Sequence, residues 1–369
     1  MTWPAAPDLL APLVPWFEGN RRELPWRAPD LDLPHPDPYA VLVSELMLQQ
    51  TQVATVVPYF RRWLEQFPTP QALAAASDDA VHKAWEGLGY YRRARFLKAA
   101  ATRIASTGWP RDLAGLLALP GLGPYTAAAV GAIAFQWPTP ALDGNGFRVL
   151  ARLLLLEGDP RAAAAELRSW LAPALVAHGS SRLTQALMEL GATHCAPTPA
   201  CGACPLQAAC KARHTDRTND IPPMARRPKV RESDLWLLAV EAEGHLLLHP
   251  PRERGLLAGL WHWPSLEAGD LLPEAPCPVP GPVRTWPGWT QVYTHRRERV
   301  RPVHLLCGCR FEPASGLTWV AISDLPGLPL GRRDQRLREL LGSAGSGPQR
   351  APAPEALLGG LRADAAPAG

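Results

Sequence analysis

The sequence predicts a multidomain protein in which an all-α domain is followed by an α+β domain, and three observations support this. The chain has 369 residues, enough for two or three domains of about 150 residues. Up to residue 213, apolar residues recur at spacings of three and four, as on one face of a helix. A basic segment containing prolines follows, and after it the pattern becomes strand-like. We therefore expect a helical domain over 1–213, a linker over 214–232, an α+β domain over 233–343 and a disordered tail over 344–369.

Glycine and proline separate the predicted elements of both domains. Helices are predicted over 39–48, 53–67, 79–86, 93–106, 114–119, 125–135, 147–156, 162–171 and 180–191. In the second domain, strands are predicted over 234–241, 245–249, 300–311 and 317–321, and a helix over 333–341.

Composition and the N-terminal segment argue against several classes of protein. Apolar residues make up 47% of the chain and charged residues 20%, which fits packed cores rather than disorder. Prolines interrupt residues 1–16, which argues against a signal peptide, and no apolar run reaches the length of a membrane span. A net charge of +4 is compatible with a nucleic-acid partner. We expect a cytoplasmic, nucleoid-associated protein without a membrane partner.

Four of the seven cysteines lie close together in the sequence, as Cys195-x5-Cys201-x2-Cys204-x5-Cys210. An odd number of cysteines without a secretion signal does not fit a disulfide framework. Four thiolates from one loop can hold a [4Fe–4S] cluster. Structural zinc is the alternative, but zinc ribbons usually bring two C-x2-C pairs from separate hairpins, and this segment has one pair. The spacing favours an iron–sulfur loop over 195–210.

A glycine-containing turn, 119–126, separates two predicted helices. Gly121 and Gly123 allow a tight turn and a close approach to a ligand, and Pro124 suits the first position of the next helix. Free N–H groups and the positive end of the helix dipole at that point suit a phosphate. The turn is therefore a candidate contact for a nucleic-acid backbone; a plain helix–helix turn is the alternative.

Two carboxyl groups lie in contrasting surroundings. Glu45 has Val41, Leu42 and Leu48 as helical neighbours, so we expect its pKa to be raised and the group to serve as a general acid. Asp143 precedes a predicted helix, where a carboxylate accepts backbone N–H groups. One protonated and one ionised carboxyl form the pair that cleaves a glycosidic bond. The alternatives are an exposed glutamate and an ordinary capping aspartate.

These motifs occur in an order that resembles the helix-hairpin-helix superfamily of DNA glycosylases, and within it the adenine glycosylases that act opposite 8-oxoguanine. The sequence Ser-Glu-Leu-Met-Leu-Gln-Gln-Thr-Gln-Val begins at Ser44, Gly-Leu-Gly-Tyr-Tyr at Gly87, Leu-Pro-Gly-Leu-Gly at Leu119 and Leu-Asp-Gly-Asn at Leu142, and the cysteines follow. The resemblance covers about 16–304. It implies a monomeric enzyme of base excision repair that binds double-stranded DNA and removes adenine mispaired with 8-oxoguanine or guanine.

The resemblance also implies roles for individual residues. Glu45 would protonate adenine at N7, Asp143 would stabilise the sugar cation, and Asn145 would orient the catalytic groups. Tyr125 would support Asp143, and because lyases of the superfamily carry a lysine there, tyrosine implies an enzyme that leaves an abasic site.

Further residues would contact the DNA. Gln50 and Tyr90 would wedge into the duplex beside the flipped base, with Thr51 alongside and the hairpin of Gly121 and Gly123 on the backbone. Core packing is the alternative for Tyr90, although Tyr91 fits that role better.

The second domain resembles the Nudix-like C-terminal domain of adenine glycosylases through residues 254–261. The glutamate-rich Nudix box is absent, so no pyrophosphatase activity is expected. Tyr293, Thr294 and His295 match the Phe-Ser-His loop that reads 8-oxoguanine in the family. The basic run 296–299 suits either phosphate contacts or a solvated strand face.

Three other functions stay open at this point. The chain could be a glycosylase for mismatched thymine or uracil or for oxidised pyrimidines, which would not need the C-terminal domain. It could be a non-enzymatic DNA-damage binding protein. A Nudix hydrolase with a DNA-binding extension is opposed by the missing metal-binding box.

Overall fold

The structure is a computed structural model that describes residues 3–223, 230–252, 258–267, 284–293, 296–313, 316–342 and 349–350. The chain forms two compact units. The first comprises Met1–Ala76 and Arg93–Arg226, and the second comprises Ser77–Arg92 and Arg227–Gly369. Residues 77–92, which lie in the helical half of the sequence, therefore pack with the C-terminal unit. Apart from Gln349–Arg350, the predicted tail lies outside the described residues.

All the predicted helices are present, and further short ones accompany them. The helices are α1 (Ala6–Leu10), α2 (Leu13–Asn20), α3 (Pro38–Leu48), α4 (Val53–Gln66), α5 (Pro70–Ala75), α6 (Asp78–Ala84), α7 (Arg92–Thr107), α8 (Leu113–Leu117), α9 (Pro124–Phe135), α10 (Gly144–Leu154), α11 (Ala164–His178), α12 (Ser180–Thr193), α13 (Lys211–His214) and α14 (Arg332–Gly342).

Helices α1, α2 and α5 were not predicted from the sequence, because prolines fall within or beside them. In α1 and α5 a proline occupies one of the first two positions, and in α2 Pro12 is the capping residue. Proline is tolerated there because the N–H groups of a first helical turn have no intrahelical partner. In α5 the Thr69 hydroxyl also accepts the Ala72 N–H group over 3.1 Å.

The core of the helical unit is built by α1, α2, α10, α11 and α12. Leu10 and Phe17 are fully buried and pack in one cluster with Leu150, Leu171 and Leu187. Helix α9 lies against α3 and α12, and its residues 126–134 are all buried. A helix that is apolar on all sides belongs in an interior. Helix α9 therefore contacts both α3 and α12, and α12 in turn contacts α10, so these four helices pack together.

The second unit is sheet-rich, as predicted. Its strands are β1 (Arg231–Ala242), β2 (His245–Leu248), β3 (Ser265–Glu267), β4 (Arg284–Thr285), β5 (Trp289–Val292), β6 (Arg296–Leu306), β7 (Thr318–Ala321) and β8 (Gln349–Arg350). The sheet order is β7-β2-β1-β6-β4-β8, with β3 paired to β1 and β5 paired to β6. The β1–β6 pair is parallel, with Leu235 opposite Val300. Helix α14 places Leu337 against Trp263 and Leu330 in the cluster on one face.

Strand β6 corrects the prediction at both ends, since a strand was expected over 300–311. It starts at Arg296 because the acidic side chains of β1 pair with its arginines: Arg297 and Arg299 both bond Glu232, at 3.0 and 3.1 Å. The paired charges let a run of arginines continue as a strand. This pairing favours the solvated strand face over free phosphate-binding arginines at 296–299.

None of the helices in the described part of the chain has the length and apolarity that crossing a bilayer requires.

Candidate active site

A cavity of about 770 Å³ lies in the helical unit, lined by residues of α3, α9 and α12, the start of α10 and the chain after α3. Residues that are far apart in the sequence meet there. The lining includes six side chains predicted from the sequence: Glu45, Gln50, Thr51, Tyr125, Asp143 and Asn145.

Glu45 lies on α3 and is only 6% exposed. Burial raises the pKa of its carboxyl group to about 7, and the negative charge of Asp143 acts in the same direction. The Tyr125 hydroxyl donates a hydrogen bond to Oε2 of Glu45 over 3.0 Å, which lowers that pKa. The raised pKa expected from the apolar neighbours is confirmed. Near neutral pH the group therefore has a proton to give.

Asp143 is the N-cap of α10, which begins at Gly144 and not near residue 147. Its Oδ1 accepts the Gly146 N–H group over 2.7 Å, and its Oδ2 accepts an N–H group of the Asn145 amide over 3.1 Å. Both carboxylate oxygens thus have donors that complement a negative charge. A side chain at Gly191 would collide with Asn145, since an added Cβ would lie 2.7 Å from the Asn145 Cβ.

Arg148 supports Asn145 and was missed in the sequence analysis. Its Nη2 donates to Oδ1 of Asn145 and to the Gly191 carbonyl oxygen, each over 2.8 Å, and its Nε donates to the Cys195 carbonyl oxygen over 2.7 Å. The available signal was its position three residues after Asn145 on one helix. Hydrogen bonds therefore connect the Asp143 carboxylate to the start of the cysteine segment.

Tyr125 follows Pro124, the first residue of α9, and its hydroxyl reaches into the cavity. Burial raises the pKa of Tyr125 well above its ordinary value, as do the charges of Glu45 and Asp143. The phenol therefore acts as a hydrogen-bond donor. The resemblance placed it as a support for Asp143, whereas its hydrogen bond goes to Glu45.

Glu189 and two arginines form part of the cavity wall that the sequence analysis did not identify. The Glu189 side chain is 1% exposed and pairs with Nε of Arg22 and Nη2 of Arg27, each at 2.6 Å. Burial opposes ionisation, but the hydrogen bonds from Arg22 and Arg27 lower the pKa of Glu189 overall. The partners are more than 150 residues apart, so no local pattern pointed to them.

Gln50 and Thr51 lie in the chain that leaves α3. Gln50 has a φ of 56° and its side chain is exposed. The buried guanidinium of Arg93 donates to the Leu46 and Met47 carbonyl oxygens over 2.8 Å each, and to the Thr51 hydroxyl over 3.1 Å. These bonds hold the end of α3 and fix the segment that carries Gln50.

The predicted hairpin joins α8 to α9, and its two glycines differ in what they contribute. Gly121 has a φ of 79°, and a Cβ there would lie 2.3 Å from the Phe96 Cβ. Gly123 is the N-cap of α9 with a φ of −81°, and nothing in the described structure lies within 4 Å of its Cβ position. The packing of the turn therefore requires glycine at Gly121, whereas the position of Gly123 is open, and its contact with a nucleic-acid backbone stays a prediction.

The four clustered cysteines line one small cavity of the helical unit, apart from the large one. Each is partly buried, and the segment contains a short 3-10 turn at Cys201–Ala203. Burial raises the pKa of Cys204 to about 11, with a further contribution from the other three thiols. Arg152 lies beside them, and its Nη1 is 3.4 Å from Sγ of Cys195. The sulfur atoms are therefore close enough to interact, and a cation lies next to them.

The remaining predicted residues belong to the second unit. Tyr90 is 45% exposed with a φ of 50°, whereas Tyr91 is buried, as expected. Tyr293 is partly buried, and within the described part of the chain its buried hydroxyl has no hydrogen-bond partner. Thr294 and His295 lie outside the described residues, as do 254–257 of the Nudix-like motif.

Comparison with known proteins gives a consistent result. Residues 43–173 match the family described as HhH-GPD superfamily base excision DNA repair protein. An adenine DNA glycosylase from Schizosaccharomyces pombe is 33% identical over 324 residues, covering 70% of this chain and 69% of that protein. An adenine DNA glycosylase from Arabidopsis thaliana is 35% identical over 293 residues, covering 69% of this chain and 46% of that protein. The chain thus spans about half the length of the plant relative.

Among solved structures, a thermostable thymine-DNA glycosylase superposes with a TM-score of 0.48 at 25% identity, covering 56% of this chain and 96% of that one.

Proposed function

Because this chain belongs to the adenine DNA glycosylase family, we propose that it excises adenine mispaired with 8-oxoguanine or guanine from duplex DNA and leaves an abasic site. The observation that carries the proposal is the meeting of Glu45, Tyr125 and Asp143 at one cavity, with the pKa of Glu45 raised to about 7. Paired carboxyl groups in different protonation states are what hydrolysis of an N-glycosidic bond requires.

Glu45 is the proposed general acid. A flipped adenine in the cavity receives the Glu45 proton at N7, and the bond between the base and C1′ then breaks with its electrons on the base. Positive charge develops on the sugar, and the Asp143 carboxylate stabilises it. Water adds at C1′ and gives a proton to the Glu45 carboxylate, which restores the acid and leaves free adenine and an abasic site. General acid catalysis of this kind contributes about 10²–10⁴ in rate.

Tyr125 supports the choice of a monofunctional enzyme. A lyase needs an amine that forms a Schiff base with the sugar, and a phenol cannot form one. The described residues that line the cavity include no lysine. We therefore propose that the DNA strand stays intact after base release.

The wall of the cavity suits a purine base. The ion pairs of Glu189 with Arg22 and Arg27, together with the Gln185 amide, offer both donors and acceptors to the edge of a base. A pocket that reads a flipped base uses such hydrogen bonds. At the hairpin, the N-terminus of α9 is the proposed contact for the DNA backbone.

A [4Fe–4S] cluster is the proposed cofactor, held by Cys195, Cys201, Cys204 and Cys210. Four soft thiolate donors around one cavity fit such a group, which would tie the segment together. A single zinc ion fits less well, because zinc ribbons usually bring two C-x2-C pairs from separate hairpins and this segment has one pair. We expect Cys204→Ser to lose iron and visible absorbance, and Cys309→Ser, at an exposed cysteine outside the cluster, to keep both.

The sheet-rich unit is the proposed Nudix-like domain that reads 8-oxoguanine. Support comes from its mixed sheet, from α14 packed on one face, and from Tyr293, the first residue of the predicted reading loop, which directly follows β5.

Base release is the test of the proposed function. Duplexes with adenine opposite 8-oxoguanine, guanine, cytosine or thymine are incubated with the protein and with Glu45→Gln. Free adenine from the first two duplexes, strand breaks only after alkali, and no release by the variant are expected. Release of a pyrimidine, or breaks without alkali, would overturn the proposal.

A further inference from the structure

Residues 77–92 carry the predicted wedge Tyr90, and they pack within the C-terminal unit although they lie in the helical half of the sequence. The turn before Tyr90 is unusual in its backbone. Gly87, Gly89 and Tyr90 have φ values of 93°, 77° and 50°, and a positive φ is unfavourable for tyrosine. Such a conformation persists only where surrounding contacts hold it, so the contacts of this segment matter.

Two side chains of the segment bind both backbone polar groups of one residue, Leu330. Oε1 of Glu86 accepts the Leu330 N–H group over 3.1 Å. The Tyr91 hydroxyl donates to the Leu330 carbonyl oxygen over 3.3 Å and accepts the Gly87 N–H group over 2.9 Å. Leu330 is fully buried, two residues before the start of α14. The Tyr91 hydroxyl therefore joins the turn directly to the core of the sheet-rich unit.

Further contacts strengthen this attachment. Glu86 pairs with Nζ of Lys83 at 2.8 Å and lies 3.7 Å from Nη1 of Arg338 on α14. The buried imidazole of His82 lies against Gly259, where an added Cβ would come within 2.6 Å of the ring. Within the turn, the Trp85 indole donates to the Gly89 carbonyl oxygen over 3.0 Å.

We propose that Glu86 and Tyr91 are positioning residues that fix Tyr90 on the Leu330 segment, so that the C-terminal unit presents the wedge to the DNA. The inference rests on the proposed function. Unstacking the bases costs a few kcal/mol. If the turn were not attached, the exposed ring of Tyr90 would be displaced and the bases would stay stacked. Deleting residues 227–369, and with them Leu330, would then remove the support of the wedge as well as the lesion-reading loop.

The test uses the full-length protein and a duplex in which 2-aminopurine is stacked beside 8-oxoguanine. Fluorescence of 2-aminopurine reports unstacking, and single-turnover adenine release is measured in parallel. We expect Tyr91→Phe and Glu86→Ala each to reduce unstacking and to slow release by about tenfold, the value of one hydrogen bond to a buried group. Glu86→Gln keeps a carbonyl acceptor for Leu330 and should recover most of the loss.

A double-mutant cycle with Tyr90→Ala separates positioning from general destabilisation. If Tyr91 acts through Tyr90, Tyr91→Phe causes no further loss of unstacking in the Tyr90→Ala background. Tyr39→Phe is the matched control, because it removes a buried hydroxyl that accepts the Trp63 N–H group in the helical unit, and unstacking should be unchanged. Additive losses, or equal losses in the control, would overturn the inference.

If the proposed function is wrong, adenine release and base unstacking give a different pattern of results. Wild-type protein would then release no adenine, while unstacking by Tyr90 and its dependence on Tyr91 would still be measured.

Discussion

The Tyr125 hydroxyl group donates a hydrogen bond to Oε2 of Glu45, with 3.0 Å between the two oxygen atoms. Burial raises the pKa of Glu45, and this hydrogen bond opposes the effect by stabilising the charged form. The balance leaves the pKa at about 7, where the group can give up a proton and later regain it. The relationship makes the protonation of Glu45 sensitive to one hydroxyl group.

Tyr125→Phe should move the pH dependence of adenine release to higher pH. Without the phenol, the charged form of Glu45 loses a donor, so its pKa rises and the protonated, active form persists further into the alkaline range. Single-turnover release between about pH 5 and pH 9 measures this, compared with Tyr39→Phe. A shift of the alkaline limb to lower pH would contradict the assignment of Glu45 as the acid.

Glu45→Gln should raise the stability of the protein at pH 8 more than at pH 4. The pKa of Glu45 is raised from 4.5 to about 7. The contribution of this side chain to the free energy of unfolding is therefore fully present below pH 4.5, and it is lost as the pH rises through about 7. The resulting penalty is about 3 kcal/mol, and glutamine removes it. Urea unfolding at both pH values measures the difference, and an equal effect at both would contradict the raised pKa.

Gly121→Ala should destabilise the protein by about 2 kcal/mol or more, because it combines a positive φ with a collision against Phe96. Gly123→Ala is the matched control at the other glycine of the hairpin, where the Cβ position is open, and a change within about 0.5 kcal/mol is expected. Thermal unfolding distinguishes the two variants. Equal effects would mean that the hairpin conformation differs from the one described.

Tyr293→Phe should stabilise the protein by about 1 kcal/mol, since it removes a buried hydroxyl with no partner in the described part of the chain. Tyr39→Phe should destabilise the protein instead, because the Tyr39 hydroxyl accepts the Trp63 N–H group over 3.0 Å. Chemical unfolding of both variants provides the comparison. A loss of stability in Tyr293→Phe would reveal a hydrogen bond to that hydroxyl.

Local patterns predicted the presence of the long helices and of the main strands, although not the bounds of β6, because the spacing of apolar residues reflects which face is buried. They also pointed to the raised pKa of Glu45, since its helical neighbours are apolar, and to the capping role of Asp143. Short strands such as β3 and β4 were missed, because they contain too few residues for a period to appear.

The sequence by itself determined the helical and sheet-rich units, the clustered cysteines and the two carboxyl groups, all of which depend on residues close together in the chain. Only the tertiary structure placed Glu45, Tyr125 and Asp143 at one cavity and surrounded Glu189 with Arg22 and Arg27. It alone packed residues 77–92 with the C-terminal unit. Contacts between residues far apart in the sequence arise from the packing of whole elements, so the local spacing of residues does not predict them.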